Sequence, residues 1–131
     1  MHECKPYATP ITPSLKLFKH IGTPLDHGEI YRQIIIALQY ATITRPDIAY
    51  SVNKLCQYMH NPTDLHWKAL KWLLRYLQGT KTSGLFYSDN STPTLHCYID
   101  SDWGGDIDDR RSTSGYAIYL GTSLISWLAK K

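Results

Sequence analysis

The chain has 131 residues, 43% of them apolar and 19% charged, and a formal net charge of +3. That composition is ordinary for a globular chain and argues against disorder, and the length suits one domain or two small pieces sharing a core. The weak positive charge permits contact with nucleic acid without demanding it. The first 28 residues carry Pro6, Pro10, Pro13 and Pro24 with Gly22 and Gly28. Proline lacks an amide donor and keeps its predecessor out of the helical region, so this stretch predicts an extended strap.

From Glu29 the pattern turns helical. EIYRQIIIALQYATI (29–43) sets Ile30, Ile34, Leu38 and Ala41 on one face, with Ile35 beside them. RPDIAYSVNKLCQYMHNP (45–62) reads as a second helix. Pro46 suits its first position, Asp47 its positive end, and Ile48, Val52, Leu55 and Met59 form its stripe before Asn61-Pro62 ends it. In TDLHWKALKWLLRYLQGT (63–80), Thr63 is a capping residue, Gly79 a stop, and His66, Leu70, Leu73, Leu74 and Leu77 line one side. Short connections predict that the three helices cluster.

After Gly79 the runs GLFYS, TLHCYID, SGYAIYLG and SLISWLA are short, aromatic and branched, with turn-formers between them. GTS (121–123) is a tight hairpin connection. The expected fold class is α+β: a strap, a three-helix cluster, then an antiparallel β-meander.

Cys4, Cys56 and Cys97 are odd in number and lack C-x-x-C spacing, which predicts reduced thiols and no cysteine zinc site. No signal-peptide-like stretch opens the chain, and its longest aliphatic run, IIIAL, is too short to span a bilayer. The expectation is an intracellular chain, not secreted and with no membrane contact. The six histidines, His2, His20, His27, His60, His66 and His96, form no metal-ligand spacing.

Two features carry chemistry. YIDSDWGGDIDDRRSTSGY (98–116) crowds Asp100, Asp102, Asp106, Asp108 and Asp109 together. A calcium loop starting at Asp100 would need a bidentate glutamate where Arg111 stands, so calcium is rejected. A two-metal nuclease site needs carboxylates from several elements, yet after Asp109 there is no further Asp or Glu. The plain alternative is a solvated loop whose aspartates pair with Arg110 and Arg111, each pair contributing roughly 0–1 kcal/mol. The second feature is a basic stripe, Lys68, Lys71 and Arg75, beside Trp67 and Trp72. It can track phosphates while the tryptophans stack, or it is simply the solvated face of an amphipathic helix.

The runs CKPYATP, YRQ, LQY, TRPDIAYSVNK, QYMHNPTDLHW, LRYLQGT, YIDSDWGGD, RRSTSGY and ISWLAKK follow one another through nearly the whole chain. In that order they resemble the Pol polyprotein of copia-type LTR retrotransposons, where reverse transcriptase gives way to ribonuclease H. The resemblance implies that residues 1–88 form a thumb- and connection-like helical region and residues 89–131 a truncated ribonuclease H-like sheet. It implies that Asp100 is the first catalytic, metal-binding ribonuclease H aspartate. It implies a nucleic-acid face at Lys68, Lys71 and Arg75, with an RNA–DNA hybrid or template–primer duplex as the parent's partner. The parent would use Mg²⁺. This chain, lacking the polymerase aspartates and the later ribonuclease H carboxylates, is expected to hold no metal stably and to catalyse neither reaction. The alternatives are a small nucleic-acid-binding remnant and a relic without function. Ile36 stands where the family usually has glycine, predicting a strained helix contact, and Leu128-Ala129 where it usually has two serines. An unfinished meander also predicts an exposed edge and self-association.

Overall fold

The computed structural model describes residues 4–12, 16–89 and 92–131. Pro13, His2 and the Asn90 at the expected junction between the two regions lie outside the described residues. The architecture is α+β. Helix α1 (Gly28–Ala41) leads through a single 3₁₀ turn (Pro46–Ile48) into α2 (Ala49–Cys56), then α3 (Asp64–Gly79). Strands β1 (Leu95–Ser101), β2 (Ser114–Leu120) and β3 (Ser123–Lys130) follow as an antiparallel sheet in the order β1-β2-β3.

The core belongs to the helices. Tyr31, Ile35 and Leu38 of α1, Val52 and Leu55 of α2 and Ala69, Leu70 and Leu73 of α3 are buried together with Leu17, Ile48 and Tyr58. On α1 the buried stripe starts at Tyr31, and Ile30 is half exposed. Tyr31 displaces it because its hydroxyl donates to the Leu55 carbonyl at 2.9 Å, which satisfies the one polar atom the ring carries inside. Ile36 lies on the exposed side of α1, so the strained contact expected there does not arise. The second helix is shorter than expected: Pro46 opens a 3₁₀ turn and the α-helix ends at Cys56.

The start of α3 is a capping box with an imidazole in the usual acid's place. The Thr63 amide donates to His66 Nδ1 at 2.9 Å, and His66 Nε2 lies 3.0 Å from the Phe18 carbonyl. Nδ1 must accept, so Nε2 carries the proton and the ring is neutral. His66 is fully buried and stacks on Tyr58, and burial holds its pKa down, against a smaller upward pull from the Phe18 carbonyl.

The described N-terminal residues, 4–12 and 16–26, carry no helix and run as a strap over the helices, as the prolines predict. Pro6 crosses α3 at Gly79, where an added Cβ would approach the Pro6 Cβ to 2.6 Å. Farther on, Leu17 is buried, the Lys19 amide donates to Asp108, and Thr23 and Leu25 bond to the start of α3.

In the sheet, register runs from Leu95↔Leu120 to Ser101↔Ser114, and from Leu120↔Ser123 to Ser114↔Lys130 with a shift at Ile118/Tyr119. Gly121, at φ 60°, opens the two-residue hairpin loop. GLFYS is not a strand. Strand structure needs a ladder, and this segment reaches the sheet through the Ser88 amide bonded to Ser123 Oγ. The sheet meets the helices along β3, where Trp127 Nε1 donates to the Thr42 carbonyl at 3.0 Å. A groove of about 490 Å³ remains between β3 and α1–α2, lined by Val52, Asn53, Cys56 and Ala129 among others. Among the described residues no helix is long and apolar enough to cross a membrane.

Asp106 closes the structure. It is 2% exposed, and its Oδ2 lies 2.8 Å from both Lys54 Nζ of α2 and Lys131 Nζ at the end of β3. Its Oδ1 accepts from the Asp108 and Asp109 amides. Burial pushes the carboxyl pKa up, but the hydrogen bonds from Lys131 and Lys54 outweigh it and hold Asp106 well below the ordinary carboxylate range.

Asp106→Asn leaves the nearly buried Lys54 ammonium without its anion and Lys131 with Asp109 alone, and should cost about 3 kcal/mol of stability, read by urea denaturation. A carboxyl whose pKa is depressed on folding contributes stability that is complete above the unfolded value, about pH 4, and fades as pH falls below it. The wild type should therefore lose stability on acidification through that window, and the Asp106→Asn variant should lose less there.

Candidate nucleic-acid face and acidic loop

Helix α3 turns Lys68, Lys71 and Arg75 toward one side, as the three- and four-residue spacing requires. They do not form one free basic stripe. Arg75 is half-buried beneath the strap: its Nε donates to the Lys5 carbonyl at 2.8 Å and its guanidinium lies 4.1 Å from the Tyr7 ring centre. Tyr7 in turn stacks on Trp72 at 3.6 Å, and Trp72 Nε1 donates to the Thr9 carbonyl. Arg75 and Trp72 thus hold the strap, and neither is free for a ligand.

Lys68 and Lys71 are exposed. Lys68 has only a 3.3 Å pair with Asp64, itself 41% exposed, and Lys71 lies 5.6 Å over the Trp67 ring. Contacts of this kind are loosely held in water, so both ammonium groups remain available to an anion. Trp67 is half-buried against the core and cannot leave to stack.

The five aspartates separate into three groups. Asp100 is exposed on β1, with Oδ1 accepting from the Ser101 amide. Asp102 folds back over the loop: its carboxylate accepts from the Thr113 amide and packs against Gly105, where any Cβ would collide with it. Asp108 and Asp109 are exposed, as a solvated loop predicts, but Asp106 is buried and the main partners of all three are not Arg110 and Arg111. Asp106 is buried on Lys54 and Lys131, Asp109 accepts Lys131 at 2.8 Å, and Asp108 receives the Lys19 amide of the strap. Asp109 and Arg111 stand 3.9 Å apart, a weak exposed contact. The loop is a knot between strap, α2 and β3.

These donors do not fit a two-metal site. Asp100 stands alone on its strand, Asp102 is turned to Thr113 and Gly105, and among the described residues no three His, Cys, Asp or Glu side chains converge. A metal-assisted step cannot be built on one exposed carboxylate.

Two features escaped the sequence. Arg45 and Asp47 of the TRPDIAY run form a close pair at 2.7 Å, and Arg45 bonds the Thr80 carbonyl while Tyr76 bonds Asp47. This clamps the end of α3 onto the 3₁₀ turn. Trp103, beside the acidic cluster, is 100% exposed, a costly placement for so large a ring unless something covers it. Neither shows in the local pattern, since one depends on the distant end of α3 and the other on tertiary exposure.

Comparison with known proteins gives a consistent result. Over its whole length the chain is 53% identical to the retrovirus-related Pol polyprotein from transposon RE2 of Arabidopsis thaliana and 51% identical to that from transposon RE1 of the same plant, covering 9% of each. It is 39% identical, over 99% of its length, to the retrovirus-related Pol polyprotein from transposon TNT 1-94 of Nicotiana tabacum, covering 10% of that protein. The chain therefore spans about a tenth of the length of these curated relatives. No family model matches it, and no solved structure matches it.

Tyr7→Ala removes the stacked ring and the cation–π partner together, and should lower stability by about 1–2 kcal/mol. Limited proteolysis should then cut residues 4–12 sooner, and Trp72 emission should shift to longer wavelength.

Proposed function

We propose that this chain, which belongs to the family of copia-type transposon Pol polyproteins, is the segment where reverse transcriptase passes into ribonuclease H. Residues 1–88 are the thumb- and connection-like helices, and residues 89–131 are the first ribonuclease H strands. In the parent polyprotein this segment lies along an RNA–DNA hybrid or template–primer duplex, and Asp100 is the first of the ribonuclease H carboxylates that hold Mg²⁺. On its own the chain catalyses neither reaction. The observation that carries this reading is the isolation of Asp100: it projects from an exposed strand while Asp102 is turned into the loop.

What the chain's own residues supply is electrostatic grip. Lys68 and Lys71 present two exposed ammonium groups on one helix face, four and seven residues after Asp64. Each phosphate they neutralise releases a condensed counterion, which makes binding steeply salt-dependent and indifferent to sequence. Arg75 contributes through the strap it secures.

The purified chain should leave an RNA–DNA hybrid uncut in Mg²⁺. Cleavage that disappears in Asp100→Asn would overturn the inactive reading. Binding is tested separately by fluorescence anisotropy of a labelled duplex across a salt series. Lys68→Ala with Lys71→Ala should reduce the log–log salt slope by about 1.8 for a B-form duplex. Arg75→Ala should leave that slope unchanged and lower the melting temperature. An unchanged slope in the double variant would exclude this face.

A further inference from the structure

We propose that His66 is a proton-operated latch: charging its ring lifts strap residues 17–25 and unwinds the first turn of α3 in one step. This goes beyond the polyprotein reading and does not depend on nucleic-acid binding.

The strap meets residues 58–66 along a row of bonds, with His66 among them. The Tyr58 hydroxyl donates to the Leu17 carbonyl at 3.1 Å, and His66 Nε2 donates to the Phe18 carbonyl at 3.0 Å. The Thr23 amide donates to Asp64 Oδ1 at 2.9 Å, and the Asp64 amide returns a bond to the Thr23 carbonyl. The Leu25 amide donates to the Pro62 carbonyl, and Pro24 forms a bridge with Thr63. Of these groups, imidazole is the one whose charge changes near neutral pH. It is also fully buried.

Protonation turns Nδ1 from an acceptor into a donor. An N–H then faces the Thr63 amide at 2.9 Å, and that amide loses its acceptor. Thr63 is 2% exposed, so water has no access to replace the lost bond. Thr63 Oγ, 3.1 Å from Nδ1, can take the new proton, but the amide is orphaned either way.

The charge itself is poorly compensated. Tyr58 stacks on the ring at 4.0 Å as a neutral phenol, its own pKa pushed up by burial. The Phe18 carbonyl of the strap, Asp108 of the acidic loop and Asp64 of α3 pull the His66 pKa upward, and burial outweighs them. Both carboxylates are already engaged by strap amides, Asp108 by Lys19 and Asp64 by Thr23. Phe18, Tyr58 and the Thr63 cap enclose the ring, so a charged ring reaches water by parting the strap from the helix start.

The sign follows from linkage. An imidazole whose pKa is depressed in the closed form takes up its proton preferentially in the open form. The latch is shut above the free imidazole value, about pH 6.5, and below it opening grows about tenfold per pH unit. This window lies above the one in which Asp106 loses its effect.

The test uses the full 131-residue chain, with amide exchange and ring nitrogen shifts followed by NMR. Between about pH 7.5 and about pH 5, opening at the Leu25, Thr63 and Asp64 amides should rise together about 30-fold, after correction for intrinsic exchange. Amides in the middle of α1 should hold steady. The ring nitrogens should show the proton on Nε2 at the higher pH, and the ring should charge in step with the opening. His66→Gln keeps a capping-box side chain that cannot titrate and leaves His20, His27 and His60 in place. It should flatten the pH dependence of the three amides. Where that variant does not fold, the wild-type ring decides: a ring that charges while Thr63 and Leu25 stay protected overturns the proposal. So does a proton on Nδ1 at the higher pH, a rise shared by the α1 amides, or an undiminished pH dependence in His66→Gln.

Discussion

The fold depends on a single carboxylate. Asp106 sits where the strap, α2 and the end of β3 converge, and its two oxygens satisfy two lysines and two backbone amides. The buried core belongs to the helices and the strap. The sheet has no such core: β1 is exposed along its whole length, and β3 meets the helices across a groove. Besides Trp127 on the Thr42 carbonyl, the attachment rests largely on Lys131, which reaches Asp106, Asp109 and Gln57. A buried ion pair gains little over a well-packed apolar contact, but removing one member strands the others at high cost. The acidic loop thus fixes the position of the sheet, and with it the place where Asp100 is displayed.

The strap is held by a different logic. Among its described residues it has no helix or ladder beyond the isolated Pro24–Thr63 bridge, and Leu17 is its one fully buried apolar side chain, so its backbone carbonyls must find donors elsewhere. Arg75 and Trp72 take Lys5 and Thr9, Tyr58 takes Leu17, and His66 takes Phe18. His66 is central here because the same ring caps α3 through Nδ1 and holds the strap through Nε2. Only the neutral ring with its proton on Nε2 can do both, and burial keeps it in that form. Helix start and strap position are therefore one interaction.

What could be read in the sequence was local. The α+β order, the strap, the three helices and the meander follow from proline content, helical spacing and alternation, and Thr63 was recognisable as a cap. Periodicity counts Ile30 into the α1 stripe and passes over Tyr31, whose burial depends on a carbonyl 24 residues away. GLFYS had strand composition but no ladder to join. The acidic loop hides its partners for the same reason: Lys54 lies 52 residues from Asp106, and no local pattern reveals such a partner. Lys68, Lys71 and Arg75 do share one side of α3, as their spacing requires. Arg75 and Trp72 nevertheless belong to the strap, a role decided at Lys5, Tyr7 and Thr9.

Asp100 is where these strands of reasoning meet. The knot at Asp106 engages three of the five acids, and Thr113 with Gly105 engages a fourth, which leaves Asp100 exposed on β1. Its one contact is local, the Ser101 amide on Oδ1, so nothing in its own strand sets where it stands. That is set from a distance: Lys131 at the end of β3 is tied to Asp106, and register carries the position through β2 to β1.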